Sequence, residues 1–333
     1  MRRPNFFSTT NSLADDCFAA FVEFVGTTVF LMLAFGGVQA AVAAGSADDA
    51  GSAMQLLLFV SLSFGFSLLA SAWLFFRITG GLFNPEVSIA LMLIGVIQPA
   101  RCLLYCIAQM AGGVAAAALV LALTPGPVSY DTFLQQGTNK AQGVFIEMFV
   151  TSTLVLSVLM LAAEKHQATP LAPVGIGLTL FACELFAVRY TGGSLNTARS
   201  FGPAAVTGFP HSDHWVYWVG PALGALLGVS FYSILKQLAF SLCRARLLLT
   251  ELSRLFSFTA LQSRDTTISS YDRANGICNV PPNFVLRVAP CSYPYWKLNP
   301  NQEATDPRMS PQDPVDRVVK SGSGNEIGSS SPV

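Results

Sequence analysis

The chain has 333 residues, 52% hydrophobic and only 11% charged, where an ordinary soluble domain carries about 25% charge. Basic and acidic residues number 19 each, so the formal net charge is zero and no nucleic-acid partner is implied. The seven cysteines form neither a Cys-x-x-Cys pair nor a metal-ligand spacing, so no metal and no cofactor is expected.

Most charged residues lie in the first twenty positions, a few loops and the chain after Lys236, and long apolar runs fill the interval between Cys17 and Leu235. That pattern predicts a polytopic membrane protein. Residues 1–16, with Arg2 and Arg3, read as a cytoplasmic tail. The first span runs from about Cys17 to Ala43; it is too long for a signal-peptide core. An acidic loop with Asp48 and Asp49 leads to a second span, from about Leu56 to Phe76. The stretch Thr79-Gly80-Gly81-Leu82-Phe83-Asn84-Pro85-Glu86 then breaks the apolar run, and a short apolar segment follows to Gly95. At 1.5 Å per residue, roughly a dozen residues reach about halfway through a ~30 Å hydrocarbon core, so this segment enters without crossing. A third span, from about Ala100 to Leu123, carries Gln109 and the pair Gly112-Gly113. Cys102 and Cys106 lie one turn apart in it and read as small apolar residues. Residues 124–142 form a turn-rich loop.

The second half repeats the plan. A span from Gly143 to Ala163 contains Glu147 and Thr151 at the spacing of Glu23 and Thr27 in the first span. A polar turn with His166 and a span from about Leu171 to Val188 follow. Thr191-Gly192-Gly193-Ser194-Leu195-Asn196-Thr197-Ala198 is the second interruption, before a short segment ending at Gly208. The last span, about Trp215 to Leu235, places Gly220, Gly224 and Gly228 four apart, which lets a neighbouring backbone approach closely. Three spans and a half-span, twice over, make the second repeat inverted relative to the first, and paired interrupted segments point to a transport site. Basic residues favour cytoplasmic termini. Beyond Lys236, residues 244–264 read as an amphipathic helix on the inner membrane surface, with Leu248, Leu252, Leu255 and Phe256 on one face. Residues 265–333 read as mostly disordered.

The two-repeat plan, the two Glu-x-x-x-Thr pairs and the paired Asn stretches resemble the aquaporin (major intrinsic protein) family over roughly residues 16 to 240. Arg199-Ser200-Phe201-Gly202-Pro203-Ala204 and the run from Trp215 to Pro221 are similar to its water-channel branch. The resemblance implies an all-α fold of six transmembrane helices plus two re-entrant half-helices in two inverted repeats, residues 17–123 and 143–235. It implies a passive channel for water, not an enzyme, in a multi-pass, plasma-membrane homotetramer. Asn84 and Asn196 would cap the two half-helices at the pore centre with their side-chain oxygens and offer their amide NH2 groups to passing water. Facing helix dipoles would repel cations and protons. Glu23 and Glu147, with Thr27 and Thr151, would support the loops that carry these Asn residues.

Two departures stand out against the family's Asn-Pro-Ala motif: the first copy is Asn84-Pro85-Glu86 and the second Asn196-Thr197-Ala198. Thr197 loses a residue preset for the first helical position. Glu86 is either a simple partner of the helix dipole or a charge that weakens the central barrier. By the family's spacing, the selectivity filter falls on Phe64, Glu184, Gly193 and Arg199. Glu184 stands where water-selective members usually have His and is expected to neutralise Arg199, with Gly193 leaving extra room. The competing reading turns Glu184 away to pair with Arg189 or a backbone donor. Ser200, Ala204, Tyr217 and Trp218 match water-type members, whereas Glu184 and Gly193 do not. Hydrogen peroxide, glycerol or other small neutral solutes, weak ion permeation, and a poorly conducting relative with a structural or regulatory role are therefore the alternatives.

Overall fold

With no water to bond backbone groups inside hydrocarbon, a chain can cross a membrane only as helices or as a closed barrel. This one uses helices. The computed structural model describes residues 13–45, 50–164 and 167–272. The described elements are α1 (Leu13–Ala44), α2 (Ala50–Phe75), α3 (Pro85–Leu93), α4 (Pro99–Leu123), α5 (Lys140–Val158), α6 (Ala172–Thr191), α7 (Thr197–Thr207) and α8 (Val216–Asp272). A π-helical turn, Leu159–Ala163, extends α5, and a 3-10 turn, Thr169–Leu171, precedes α6. Six of these helices are long and apolar enough to cross a membrane. The short α3 and α7 are the half-helices expected from the two interruptions, and an even number of crossings leaves both described ends on one face, called here the near face.

The boundaries follow local chemistry. Asn84 and Asn196 cap α3 and α7, and Asn139 with Gln142 forms a reciprocal capping box at α5. Pro85 and Pro99 occupy first-turn positions of α3 and α4, where the missing N–H costs nothing. Gly192 ends α6 in the left-handed region, its N–H returning to the Val188 carbonyl at 3.1 Å.

Packing repeats the internal symmetry. α1 packs on α4 as α5 packs on α8, α2 crosses α6, and each half-helix lies against the third long helix of the other repeat, α7 on α4 and α3 on α8. Small residues permit these approaches. A Cβ on Gly224 would sit 2.6 Å from the Met148 carbonyl oxygen and from the Thr151 Cβ; on Gly112 it would sit 2.9 Å from the Thr27 Cβ. Gly113 and Gly202 bring α4 and α7 together in the same way, with 2.3 Å from a Gly202 Cβ to the Gly113 carbonyl oxygen.

The ends of the chain depart from expectation. The tail anticipated through Asp16 gives way to helix at Leu13, because Asp16 is buried and paired with Arg101 of α4, Nη2 to Oδ1 at 2.5 Å. The last span does not stop at Leu235 and no separate surface helix begins at 244. Instead α8 runs unbroken to Asp272, 57 residues in all, a length of about 85 Å at 1.5 Å per residue. Leu248 and Leu252 are exposed on that extension. Residues 265–272, anticipated as disordered, are its last turns. The side chains of Leu255 and Phe256, His166, and residues 273–333 lie outside the described residues.

Gly224→Ala is expected to destabilise the α5–α8 contact by about 1–3 kcal/mol through overpacking. Gly36→Ala, where an added Cβ meets nothing within 4 Å, serves as the control. Denaturant titration in detergent measures both, and equal stability of the two variants contradicts the close-packing account.

Candidate functional site

The loops that precede the half-helices are built alike. Gly81 and Gly193 have φ of 63° and 65°, and the non-glycine residues Phe83 and Leu195 have φ of 51° and 52°. Such left-handed side-chain-bearing residues cost about 1–3 kcal/mol each and persist only where their surroundings impose them. Two buried carboxylates do so. Glu23 accepts from the N–H groups of Leu82 (3.3 Å) and Phe83 (2.9 Å), and Glu147 from those of Ser194 (3.0 Å) and Leu195 (2.9 Å). Each carboxylate is steadied in turn, Glu23 by the Gln109 amide at 2.9 Å and Glu147 by the Thr191 hydroxyl at 2.6 Å. Thr27 and Thr151 play a different part from the one expected. Their hydroxyls have no hydrogen-bond partner among the described residues, and their β-carbons pack on Gly112 and Gly224.

Held this way, the two Asn side chains meet at the centre of the bundle. The Asn84 Oδ1 accepts from the Glu86 N–H at 2.9 Å, and the Asn196 Oδ1 from the Ala198 N–H at 2.9 Å. Each amide also donates across the repeat boundary, Asn84 to the Leu195 carbonyl and Asn196 to the Phe83 carbonyl, both at 2.8 Å. One of the two amide hydrogens on each Asn is thus committed to the fold, which halves the donors anticipated for passing solute.

A cavity of about 680 Å³ runs past this centre. Its near mouth carries Arg77, Arg101 and Lys236; it passes Val87, Asn84 and Asn196, and ends at Phe64, Glu184 and Arg199. Glu86 and Thr197 are not on its wall. They face away, toward α8, and answer each other. Where Pro85 has no N–H, Thr197 has one, and it donates to the Glu86 Oε2 at 3.0 Å. The Thr197 hydroxyl contacts the Glu86 Oε1 and, at 3.0 Å, the Tyr217 carbonyl. Glu86 therefore sits at the dipole of the opposite half-helix, an arrangement absent from either reading of the sequence. Ala198 is buried against Gly113 of α4.

The far end of the cavity also differs from expectation. No ion pair joins Glu184 to Arg199 or to Arg189 among the described residues. Arg199 donates instead from Nη1 to the Tyr130 carbonyl at 2.6 Å and from Nη2 to the Gly192 carbonyl at 3.1 Å, with its guanidinium 4.6 Å from the centre of the Phe64 ring. Glu184 is fully buried, and neither of its oxygens has a hydrogen-bond partner among the described residues. Gly193 leaves no spare room. A Cβ there would lie 1.8 Å from the Glu184 Oε2, so the carboxylate already fills the space a side chain would need.

Tyr130, Gln109 and Gly192 were not singled out for these roles. Gln109 had a legible signal, an amide within an apolar span that needs partners. Tyr130 and Gly192 act through backbone carbonyls, which carry no signature in side-chain identity.

Over residues 11–232 the chain matches the Major intrinsic protein family. It is 48% identical over 314 residues to Aquaporin-1 of Laccaria bicolor, covering 94% of this chain and 83% of that one. It is 52% identical over 227 residues to Aquaporin-7 of Botryotinia fuckeliana (strain B05.10), covering 67% of this chain and 50% of that relative. Among solved structures, the aquaglyceroporin from Plasmodium falciparum matches with a TM-score of 0.57 at 21% identity, over 66% of this chain and 96% of that one. At that identity the likeness concerns the fold.

The Glu86–Thr197 contact is tested by a double-mutant cycle. Glu86→Ala strands the Thr197 N–H, and Thr197→Pro strands the carboxylate, so each single change is expected to cost about 1–3 kcal/mol of unfolding free energy in detergent. The double variant strands neither group and is expected to lose at least ~1 kcal/mol less than the sum. Strict additivity rules the pairing out.

Proposed function

Because the chain belongs to the major intrinsic protein family, whose members are membrane channels rather than enzymes, we propose that it is a passive pore for water and other small neutral solutes, with Phe64, Glu184, Gly193 and Arg199 as its filter. The observation that carries this reading is the wall of the cavity. It is apolar for most of its length and offers hydrogen-bonding groups at two levels, Asn84 with Asn196 and Glu184 with Arg199. A solute that both donates and accepts can exchange water for these groups, whereas a hydrated cation meets the Arg199 charge and the N-terminal ends of α3 and α7.

Glu184 inclines the filter toward solutes that donate. Its two unpartnered oxygens accept hydrogen bonds and, when ionised, cannot donate them, so water, hydrogen peroxide and polyols all satisfy them. Phe64 opposite supplies an apolar surface for a carbon skeleton. Water is the smallest member of this class, and a wider range of neutral solutes fits the same chemistry. A cavity that reaches from the near mouth past Asn84 and Asn196 to Arg199 favours conduction over a purely structural role. Arg77, Arg101 and Lys236 at the near mouth favour cytoplasmic termini, and a homotetramer with one pore per subunit belongs to the same proposal.

Stopped-flow measurements on proteoliposomes test it. Glu184→Ala is expected to raise glycerol permeability relative to water several-fold by removing the carboxylate that fills the filter, and Glu184→His to lower that ratio. Unaltered ratios in both variants remove Glu184 from the filter. Rates equal to empty vesicles for water, glycerol and peroxide alike remove the channel reading itself.

A further inference from the structure

Arg199 lies beside a buried, unpartnered carboxylate and yet bonds two carbonyls, those of Tyr130 and Gly192. The Gly192 carbonyl belongs to the loop fixed by Glu147. The Tyr130 carbonyl belongs to the connection between α4 and α5, and what holds it is less obvious. The Tyr130 ring stacks on Phe35 at 4.7 Å between centres and its hydroxyl donates to the Ala117 carbonyl at 2.9 Å. The next residue, Asp131, bonds His211 in the turn between α7 and α8, beyond the Arg199 end of the cavity, Oδ2 to Nε2 at 3.1 Å.

We propose that Asp131 and His211 are positioning residues for Arg199: their contact keeps the Tyr130 carbonyl on the guanidinium, and so keeps the filter open, more firmly when His211 is charged. This rests on the filter reading above. If the carbonyl withdraws, the guanidinium has a fully buried anion beside it, and pairing with Glu184 closes the end of the cavity.

The surroundings of His211 single it out as the responsive group. Phe133, from the same connection as Asp131, stacks on its ring at 4.8 Å and 23°. Asp213, in the His211 turn, is engaged by the Leu134 N–H at 3.2 Å. His214 is half-buried against Phe209 and Tyr217, and burial pushes it below the ordinary histidine range. Arg199 lies behind Tyr130, and the Tyr217 hydroxyl is bonded to the Thr191 carbonyl at 2.7 Å. Neutral His211 can offer Asp131 a hydrogen bond, and charged His211 adds an ion pair. The pair is partly exposed, with side-chain accessibilities of 32% and 17%, so the gain is modest.

The test uses the full chain inserted in one sense in liposomes, with pH varied on each side separately from about 8 to about 5, where histidines ordinarily change charge. Water permeability is expected to rise roughly two- to five-fold, the change a modest partly exposed pair can supply, when the far-mouth compartment is acidified. Acidifying the other side is expected to do nothing. Asp131→Asn and His211→Ala are expected to conduct less at every pH and to lose the response. Adding Glu184→Ala to Asp131→Asn is expected to restore conduction, because the anion that captures Arg199 is gone. Unfolding profiles matching the native chain exclude simple misfolding. A native chain indifferent to far-mouth pH, or clasp variants with native rates and native response, overturns the inference. If Glu184→Ala alone changes permeability while the clasp variants do not, the filter reading survives and the clasp fails. If Glu184→Ala changes nothing, the filter reading fails first.

Discussion

Two buried carboxylates, each bonded to two successive backbone N–H groups, carry the centre of this molecule. Inside a bilayer an irregular loop must have every polar backbone group satisfied by protein, and the loops before α3 and α7 are irregular at the deepest point of the bundle. Glu23 and Glu147 supply acceptors there, and in both cases the second N–H belongs to the residue in the left-handed conformation, Phe83 or Leu195. Hydrogen bonds to charged groups are worth about 1.5–3 kcal/mol, comparable to the strain of such a residue. The carboxylate thus offsets a backbone shape that the side chain alone would refuse. From that shape follow the direction in which Asn84 and Asn196 point, the start of each half-helix, and the line of the cavity between them.

Symmetry is enforced in the backbone and abandoned on the cavity wall. Counting back equally from Asn84 and Asn196 pairs Phe64 with Ile176 and Ala72 with Glu184, and counting forward pairs Val87 with Arg199. All six line the cavity. Ile176, Ala72 and Val87 are all apolar, while their counterparts are an aromatic ring, a carboxyl group and a guanidinium. Gly81 approaches Ala72 in the first repeat, an added Cβ lying 3.1 Å from the Ala72 carbonyl oxygen, where Gly193 accommodates the Glu184 carboxylate in the second. The same backbone position thus has two uses. The half-helix starts diverge in a similar way. Pro85 needs no acceptor, Thr197 does, and Glu86 provides it.

Much of this was legible in the sequence, and what was not has a physical cause. Hydropathy placed all six crossings, and the repeated Thr-Gly-Gly-x-x-Asn pattern placed both half-helices, because chain length and helix capping act locally. Roles that depend on a carboxylate's direction stand open between two readings in the sequence: Glu86 lies off the cavity wall, and no ion pair joins Glu184 to Arg199 among the described residues. Side-chain direction at a half-helix start is settled by the other repeat, more than a hundred residues away. The last helix runs past the end of the apolar run because hydropathy falls at Lys236 while helix propensity does not. Lys236 remains in α8 and bonds Glu164 at 3.0 Å, so the loss of hydrophobicity marks the membrane surface without marking the end of the helix.

Buried polar groups without partners are rare enough in native proteins to call for an explanation, and three such atoms gather at the charged end of the cavity: both oxygens of Glu184 and the Nε of Arg199. A chain optimised for stability alone would let the two side chains pair. Here Arg199 is held by two carbonyls and the Phe64 ring, and Glu184 occupies the space that Gly193 leaves by having no Cβ. The arrangement leaves buried polar atoms without partners, which costs stability, and the carbonyls of Tyr130 and Gly192 hold the guanidinium in place. What it leaves behind is a donor and an acceptor turned toward the same small space, the property a wall needs in order to stand in for water around a passing neutral solute.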